Sequence, residues 1–123
     1  DNVRFEERDV NSIDDDNAYD VVANIGGLYH VSNPIEILRK SYDLARRYLV
    51  LQTVVSLASN RDDYFVSPAP GWNWGSRFSP QSFVKMVQSQ GYRVLDWFFN
   101  ELEGNARPED RGSVYMLIEK ATA

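Results

Sequence analysis

The sequence predicts an α/β fold, a mainly parallel sheet closed by an antiparallel hairpin, and three observations carry that expectation. Residues 19–25 (YDVVANI) and 48–55 (YLVLQTVV) are apolar, strand-like runs that flank a segment with helical spacing. Strand, helix, strand in that order is a βαβ unit, which is almost always right-handed with parallel strands. Further on, residues 92–99 (YRVLDWFF) and 113–119 (SVYMLIE) are two more strand-like runs joined by a polar segment with no place for a crossover helix, so they are expected as antiparallel neighbours. Finally, 123 residues that are 43% hydrophobic and 13% aromatic are enough for one core but not for two domains.

Each element has its own justification. Residues 3–7 (VRFEE) alternate apolar and polar, placing Val3 and Phe5 on one face of a short strand with Arg8, Asp9 and Val10 at its carboxyl end. Residues 11–17 (NSIDDDN) read as a polar loop. In the next strand, residues 19–25, the unbroken stretch Val21, Val22 and Ala23 suits burial on both faces of a parallel sheet, and Gly26-Gly27 ends it. Asn33 then serves as a helix cap, Pro34 as the first helical residue, and Glu36 as the third member of a capping box. That helix is expected to reach about Arg47, with Ile35, Leu38, Tyr42 and Ala45 inward and Arg46 and Arg47 in the last turn, where the helix dipole favours cations. Residues 56–78 form a long connection with Pro68, Pro70, Gly71 and Gly75 around Trp72 and Trp74; connections of this length are usually functional or disordered. Ser79-Pro80 opens a second helix by the same punctuation, Phe83, Val84 and Val87 face the core, and Gly91 stops it.

Charge and composition exclude several function classes. Residues 1–20 hold eight acids against two bases, a local balance of −6 that leaves the rest of the chain at +1 of its overall −5. Such a chain lacks the basic footprint of a nucleic-acid partner. No 18-residue apolar run and no signal-like opening occur, so no membrane partner is expected. The absence of cysteine removes disulfides, thiolate metal sites and a cysteine nucleophile, and fits a cytoplasmic protein. Asp14, Asp15 and Asp16 read as a solvated acidic turn, because successive loop side chains need not converge on a metal. The chain opens on Asp1 rather than Met, which is expected of a processed product or a piece of a longer one.

The order of elements, with YDVVANIGGLYHVSNPIEILRKSYDLARRYLVLQTVV at its centre, resembles the second half of the class I S-adenosylmethionine-dependent methyltransferases. The matching features are Asp9 after the first strand, Asp20-Val21-Val22 in the second, Leu28-Tyr29-His30 after it, the Asn33-Pro34 and Phe78-Ser79-Pro80 helix starts, Gly91-Tyr92-Arg93-Val94, and the closing hairpin. The resemblance implies a Rossmann-like sheet. It also implies an incomplete one, because no G-x-G-x-G loop occurs anywhere in the 123 residues. By resemblance, the Asp9 carboxylate would accept from the adenine amino group of S-adenosylmethionine, Val10 would pack on the adenine ring, and Asn24, Ile25 and Gly26 would border the methionine part.

His30, the one histidine, can take a proton from an acceptor hydroxyl or amine during methyl transfer, or can simply fix the loop before the first helix. Tyr29 reads as wall. Tyr64, Trp72, Trp74 and Arg77, with Phe78, read either as an aromatic lid with one cation, suited to a planar or acidic small molecule or to an aromatic cage near the sulfonium, or as a satellite core under the loop. The expected function is part of a methyltransferase acting on a small-molecule acceptor with S-adenosylmethionine as cofactor; the alternative is a non-catalytic binding or assembly module. A nucleotide-dependent reductase lacks its dinucleotide fingerprint here. Residues 19–25 would also miss a neighbouring strand on one side, and their uncharged edge predicts self-association or exchange of residues 3–7 between copies.

Overall fold

The computed structural model describes residues 2–121. Four strands, β1 (Tyr19–Ile25), β2 (Ala45–Val55), β5 (Arg93–Glu101) and β6 (Gly112–Glu119), make one sheet in the order β1-β2-β6-β5. The connections carry two helices, α1 (Pro34–Leu44) and α2 (Pro80–Ser89), and a small antiparallel pair, β3 (Phe65–Val66) with β4 (Arg77–Phe78). The α/β class, the βαβ unit and the closing hairpin are as the sequence predicts. Only β1 and β2 run parallel, while β2·β6 and β5·β6 are antiparallel. The expected parallel majority depended on residues 3–7 as a further strand, and they form none: Val3 and Phe5 are 70% and 93% exposed. A strand exists through its ladder bonds, and this segment has no strand beside it to supply them.

The core lies on one face of the sheet. Alternate residues of β2 (Leu49, Leu51, Val55) and β6 (Val114, Met116, Ile118) meet Ile37 and Leu38 of α1 and Phe83, Met86 and Val87 of α2 in one cluster, as the two-residue period of strands and the 3.6-residue period of helices require. Across the sheet, Val21, Ile25, Phe98 and Tyr115 stay exposed. The expected burial of residues 19–25 on both faces is therefore corrected: β1 is an edge strand, and Val21 is 54% exposed.

The end of α1 differs instructively from its sequence reading. The helix stops at Leu44 and β2 begins at once, so Arg46 and Arg47 sit on a strand. Lys120, just past β6, takes over the cationic cap, donating from Nζ to Tyr42 O at 2.8 Å and Ala45 O at 2.9 Å. Tyr42 O also accepts from Ala45 N, so the lysine adds a charged donor at a helix end, where the dipole favours a cation. The buried stripe is Ile37, Leu38, Ser41 and Leu44; of the residues expected inward, Leu38 is buried, Tyr42 is half-buried, Ala45 is buried on β2, and Ile35 turns outward. Asn33 makes no side-chain cap; its Nδ2 donates instead to Glu36 Oε2 at 2.9 Å. In α2 the reading holds: Ser79 and Ser82 form a reciprocal capping box, and Gly91 follows the helix at φ +80°. Val84 is only half-buried, with Met86 taking the inward place. No helix among the described residues is long and apolar enough to cross a membrane.

Candidate functional site

Three segments meet beyond the carboxyl ends of β1 and β2: the turn after β1, the loop before β4, and the β5–β6 connection. Asn24 organises the first. Its Nδ2 donates to Ser41 Oγ at 3.0 Å on α1, and its Oδ1 accepts from Gly27 N at 3.1 Å. Gly26 N closes onto Gln52 O at 2.8 Å. The chain then makes a single 3-10 turn, Leu28–His30, in which Leu28 plugs the core and Tyr29 and His30 face outward.

The second segment docks on the first through Tyr29 O, which accepts from Ser76 N at 3.1 Å. The neighbouring Gly75 has φ +78°, and a Cβ there would lie 2.5 Å from that same carbonyl oxygen, so both the backbone conformation and the close approach need glycine. Arg77 locks the arrangement. Only 3% exposed, it donates from Nη1 to Tyr29 O (3.2 Å) and Ser76 O (2.8 Å), and from Nε and Nη2 to Asp110 Oδ1 (3.3 and 3.0 Å). Its guanidinium also lies 5.0 Å from the centre of the Tyr29 ring. A buried guanidinium with this many partners joins all three segments, since an unpaired charge there would cost several kcal/mol, on the order of 3–5.

The third segment brings Arg107 and Asp110. Arg107 Nη2 donates to Pro70 O, and its Nε lies 3.0 Å from Asp110 Oδ2 without an aligned hydrogen bond. A row of rings runs along the opening: Tyr29 to His30 at 4.2 Å, His30 to Trp74 at 5.3 Å with planes 17° apart, and Trp74 to Trp72 at 5.1 Å and 46°. Together these residues line a cleft of about 440 Å³. His30 is exposed, and among the described residues neither imidazole nitrogen makes a hydrogen bond, so both are free to meet a ligand.

Of the residues singled out from the sequence, the structure brings together Tyr29, His30, Trp72, Trp74 and Arg77. Arg77 is corrected in role: its donors are spent on the protein, and it holds the cleft's walls in place rather than reaching for a ligand. Tyr64 lies elsewhere, at the start of α2, where its carbonyl accepts from Ser82 Oγ at 2.6 Å and it borders a groove with Lys85 and Met86. Asp9 caps a 3-10 turn, accepting from Asn11 N at 2.9 Å, while Val10 packs half-buried against the core and Ile25 is 60% exposed. Asp9, Val10, Asn24, Ile25 and Gly26 line none of the clefts described here. Asp14, Asp15 and Asp16 are exposed, and no group of three metal-ligating side chains gathers among the described residues. Sequence reasoning missed Arg107 and Asp110 by treating residues 100–112 as a plain connector. The usable signal was Arg77 itself, because an arginine within a packed loop needs a carboxylate.

Compared with protein-family models and with curated proteins, the chain matches none. Solved structures do match in fold. The [4+2]-cyclase SpnF is 15% identical at a TM-score of 0.69, over 97% of this chain and 56% of that one. A SAM-dependent methyltransferase of Methanosarcina mazei is 13% identical at 0.66, over 94% and 66%. Magnesium protoporphyrin IX methyltransferase of Synechocystis PCC 6803, solved with bound SAH, is 13% identical at 0.60, over 93% and 49%. The chain thus has the fold of the class I methyltransferases and spans about half to two thirds of the length of these three structures.

Proposed function

We propose that this chain forms the acceptor side of an S-adenosylmethionine-dependent methyltransferase for a small molecule. The observation that carries the reading is the cleft at the carboxyl ends of the parallel pair β1 and β2, where open α/β sheets bind ligands. Its volume, about 440 Å³, falls within the roughly 300–1,000 Å³ of small-molecule sites.

The cofactor fits these residues on one side only. Asp9 Oδ2 makes no hydrogen bond among the described residues and Val10 offers a half-buried apolar surface; neither lines the clefts described above, and the outer edge of β1 is open. They make one wall. When bound, S-adenosylmethionine supplies an electrophilic methyl group on a sulfonium. The part played by this chain is to orient the acceptor, to keep water away from it with Trp72 and Trp74, and to accept its proton on His30. The open edge of β1, carrying Val21 and Ile25, also supports self-association, since an uncharged edge is a template for pairing. A non-catalytic module is the second reading, favoured by the cyclase that shares the fold, since fold and chemistry separate.

The test mixes the chain with a separately expressed glycine-loop half of a class I methyltransferase and follows labelled methyl transfer to a panel of small acceptors. Transfer by the mixture, absent with either part alone, supports the reading. A mixture that assembles and transfers nothing overturns it.

A further inference from the structure

The charges that line the cleft do not balance. Among the described residues Asp110 is the one carboxylate of the lining, and two guanidinium groups share it: Oδ1 accepts from Arg77 Nε and Nη2, and Oδ2 faces Arg107 Nε at 3.0 Å. Burial says where the surplus positive charge sits. The Arg77 side chain is 3% exposed and spends its donors on Asp110, Tyr29 O and Ser76 O, whereas the Arg107 side chain is 42% exposed. The surplus cation is therefore Arg107.

Its nitrogens are unequally used. Nη2 donates to Pro70 O and lies 3.8 Å from Glu109 Oε2, a loose pair with a carboxylate outside the lining. Nε is buried beside Asp110 without an aligned bond. Nη1 makes no hydrogen bond among the described residues, so both of its N–H donors are left over. The group is also held still. A Cβ at Gly71 would collide with Nη1, so the glycine lets the guanidinium rest against backbone while the Pro70 carbonyl and Asp110 fix its plane. A pre-positioned guanidinium with spare donors suits a carboxylate in particular, whose oxygens match its planar fork.

The rest of the opening is aromatic. Trp72 follows Gly71 directly in the chain and lines the same cleft as Arg107. Trp72 and Trp74 are 47% and 40% exposed with planes 46° apart, and the His30 ring lies 5.3 Å from Trp74. Flat apolar faces left in water favour a flat guest.

Resting on the reading of this cleft as an acceptor site, we infer that its ligand is a planar aromatic carboxylate, the ring against Trp72 and Trp74 and the carboxylate on the free donors of Arg107. Arg107 selects the ligand's charge, and Arg77, buried behind it, holds Asp110 in place.

The experiment uses the 123-residue chain with Trp97→Phe, which removes the third tryptophan, on β5, and leaves Trp72 and Trp74 as fluorescent reporters. Benzoate, its neutral counterpart benzamide and the cation phenyltrimethylammonium are titrated in turn with no cofactor present, and the non-planar cyclohexanecarboxylate is tested by its displacement of benzoate. The expected result is saturable quenching by benzoate, with each of the other three binding about tenfold more weakly or worse. Arg107→Gln should bring benzoate down to the level of benzamide. Glu109→Gln, which removes the loosely paired carboxylate, should tighten benzoate and leave benzamide unchanged. Absence of saturable benzoate binding overturns the inference, and so does another probe that equals benzoate or a folded Arg107→Gln chain that binds benzoate as before. If Arg107→Gln does not fold, the Glu109→Gln titrations decide, and benzoate affinity unmoved there overturns it. Because no methyl transfer is measured, the outcome is separate from that of the assembly test: benzoate selectivity with a failed transfer reaction would leave the ligand class standing and remove the chemistry.

Discussion

Replacing Arg77 by Met removes a charge that the structure makes a tie between three loops. Four hydrogen bonds go with it, two to Asp110 Oδ1, one to Tyr29 O and one to Ser76 O. Their cost is less than a simple sum. Tyr29 O keeps its bond from Ser76 N, and Asp110, 18% exposed, keeps Arg107 Nε at 3.0 Å. What remains is a mostly buried carboxylate stripped of its better partner, for which about 3–5 kcal/mol is the expected loss. Against a total stability of roughly 5–15 kcal/mol, that is a large fraction. Urea unfolding followed by far-ultraviolet circular dichroism reads it as a fall in the midpoint with the slope unchanged. Glu109→Gln is the internal comparison, since its 3.8 Å pair with Arg107 is a loose one and is worth no more than about 0.5 kcal/mol. A loss below about 1 kcal/mol for Arg77→Met would refute the reasoning. It would mean that the guanidinium is solvated and available to a ligand.

Gly75→Ala imposes a Cβ on a φ of +78° and on the Tyr29 carbonyl 2.5 Å away, and should cost about 2–4 kcal/mol from backbone strain and the weakened Ser76 bond; thermal unfolding measures it, and an unchanged melting point would show that the loop does not dock there. Tyr92 stacks on Tyr42 at 3.9 Å, and burial first, then the charge of Asp43, raises its phenol above the ordinary value. A raised folded value favours the neutral form, so its contribution is complete below the ordinary pKa of about 10 and fades as pH rises through the folded one. Stability of the wild type should therefore fall more steeply above about pH 10 than that of Tyr92→Phe, as read from denaturation midpoints, and parallel curves would contradict this. Val21→Lys places a charge on the open β1 edge and should shift light-scattering mass toward the monomer at high protein concentration. A wild type that is already monomeric at every concentration would remove the case for edge pairing.

Local signals in the chain were legible where they were complete in themselves. Ser79-Pro80 and Gly91 bracket α2 because a capping hydroxyl, a pre-set proline and a left-handed glycine each act within a few residues. The limits of α1 were not, because Lys120 supplies its cap from the far end of the chain and the pairing of Tyr19 with Ala45 turns the backbone into a strand three residues early. Residues 3–7 have the alternation of a strand but no ladder partner, and alternation without a partner leaves Phe5 in solvent. In the site, Tyr29, His30, Trp72 and Trp74 could be named from the sequence, since rings and the lone histidine are conspicuous. The use of Arg77 could not, because its bonding depends on Asp110 more than thirty positions away. Tyr64 shared a loop with the tryptophans in sequence, but the β3–β4 pair folds that loop and sends it to the start of α2.

Calorimetric titration of S-adenosylmethionine, into this chain and into the chain joined at its amino end to a strand, G-x-G-x-G loop and helix, bears most directly on the claim that these residues form one side of a methyltransferase site. The account predicts no measurable binding by the chain alone and binding by the joined protein that weakens on Asp9→Ala. Micromolar binding by the chain alone, or a folded joined protein that binds nothing, would contradict it.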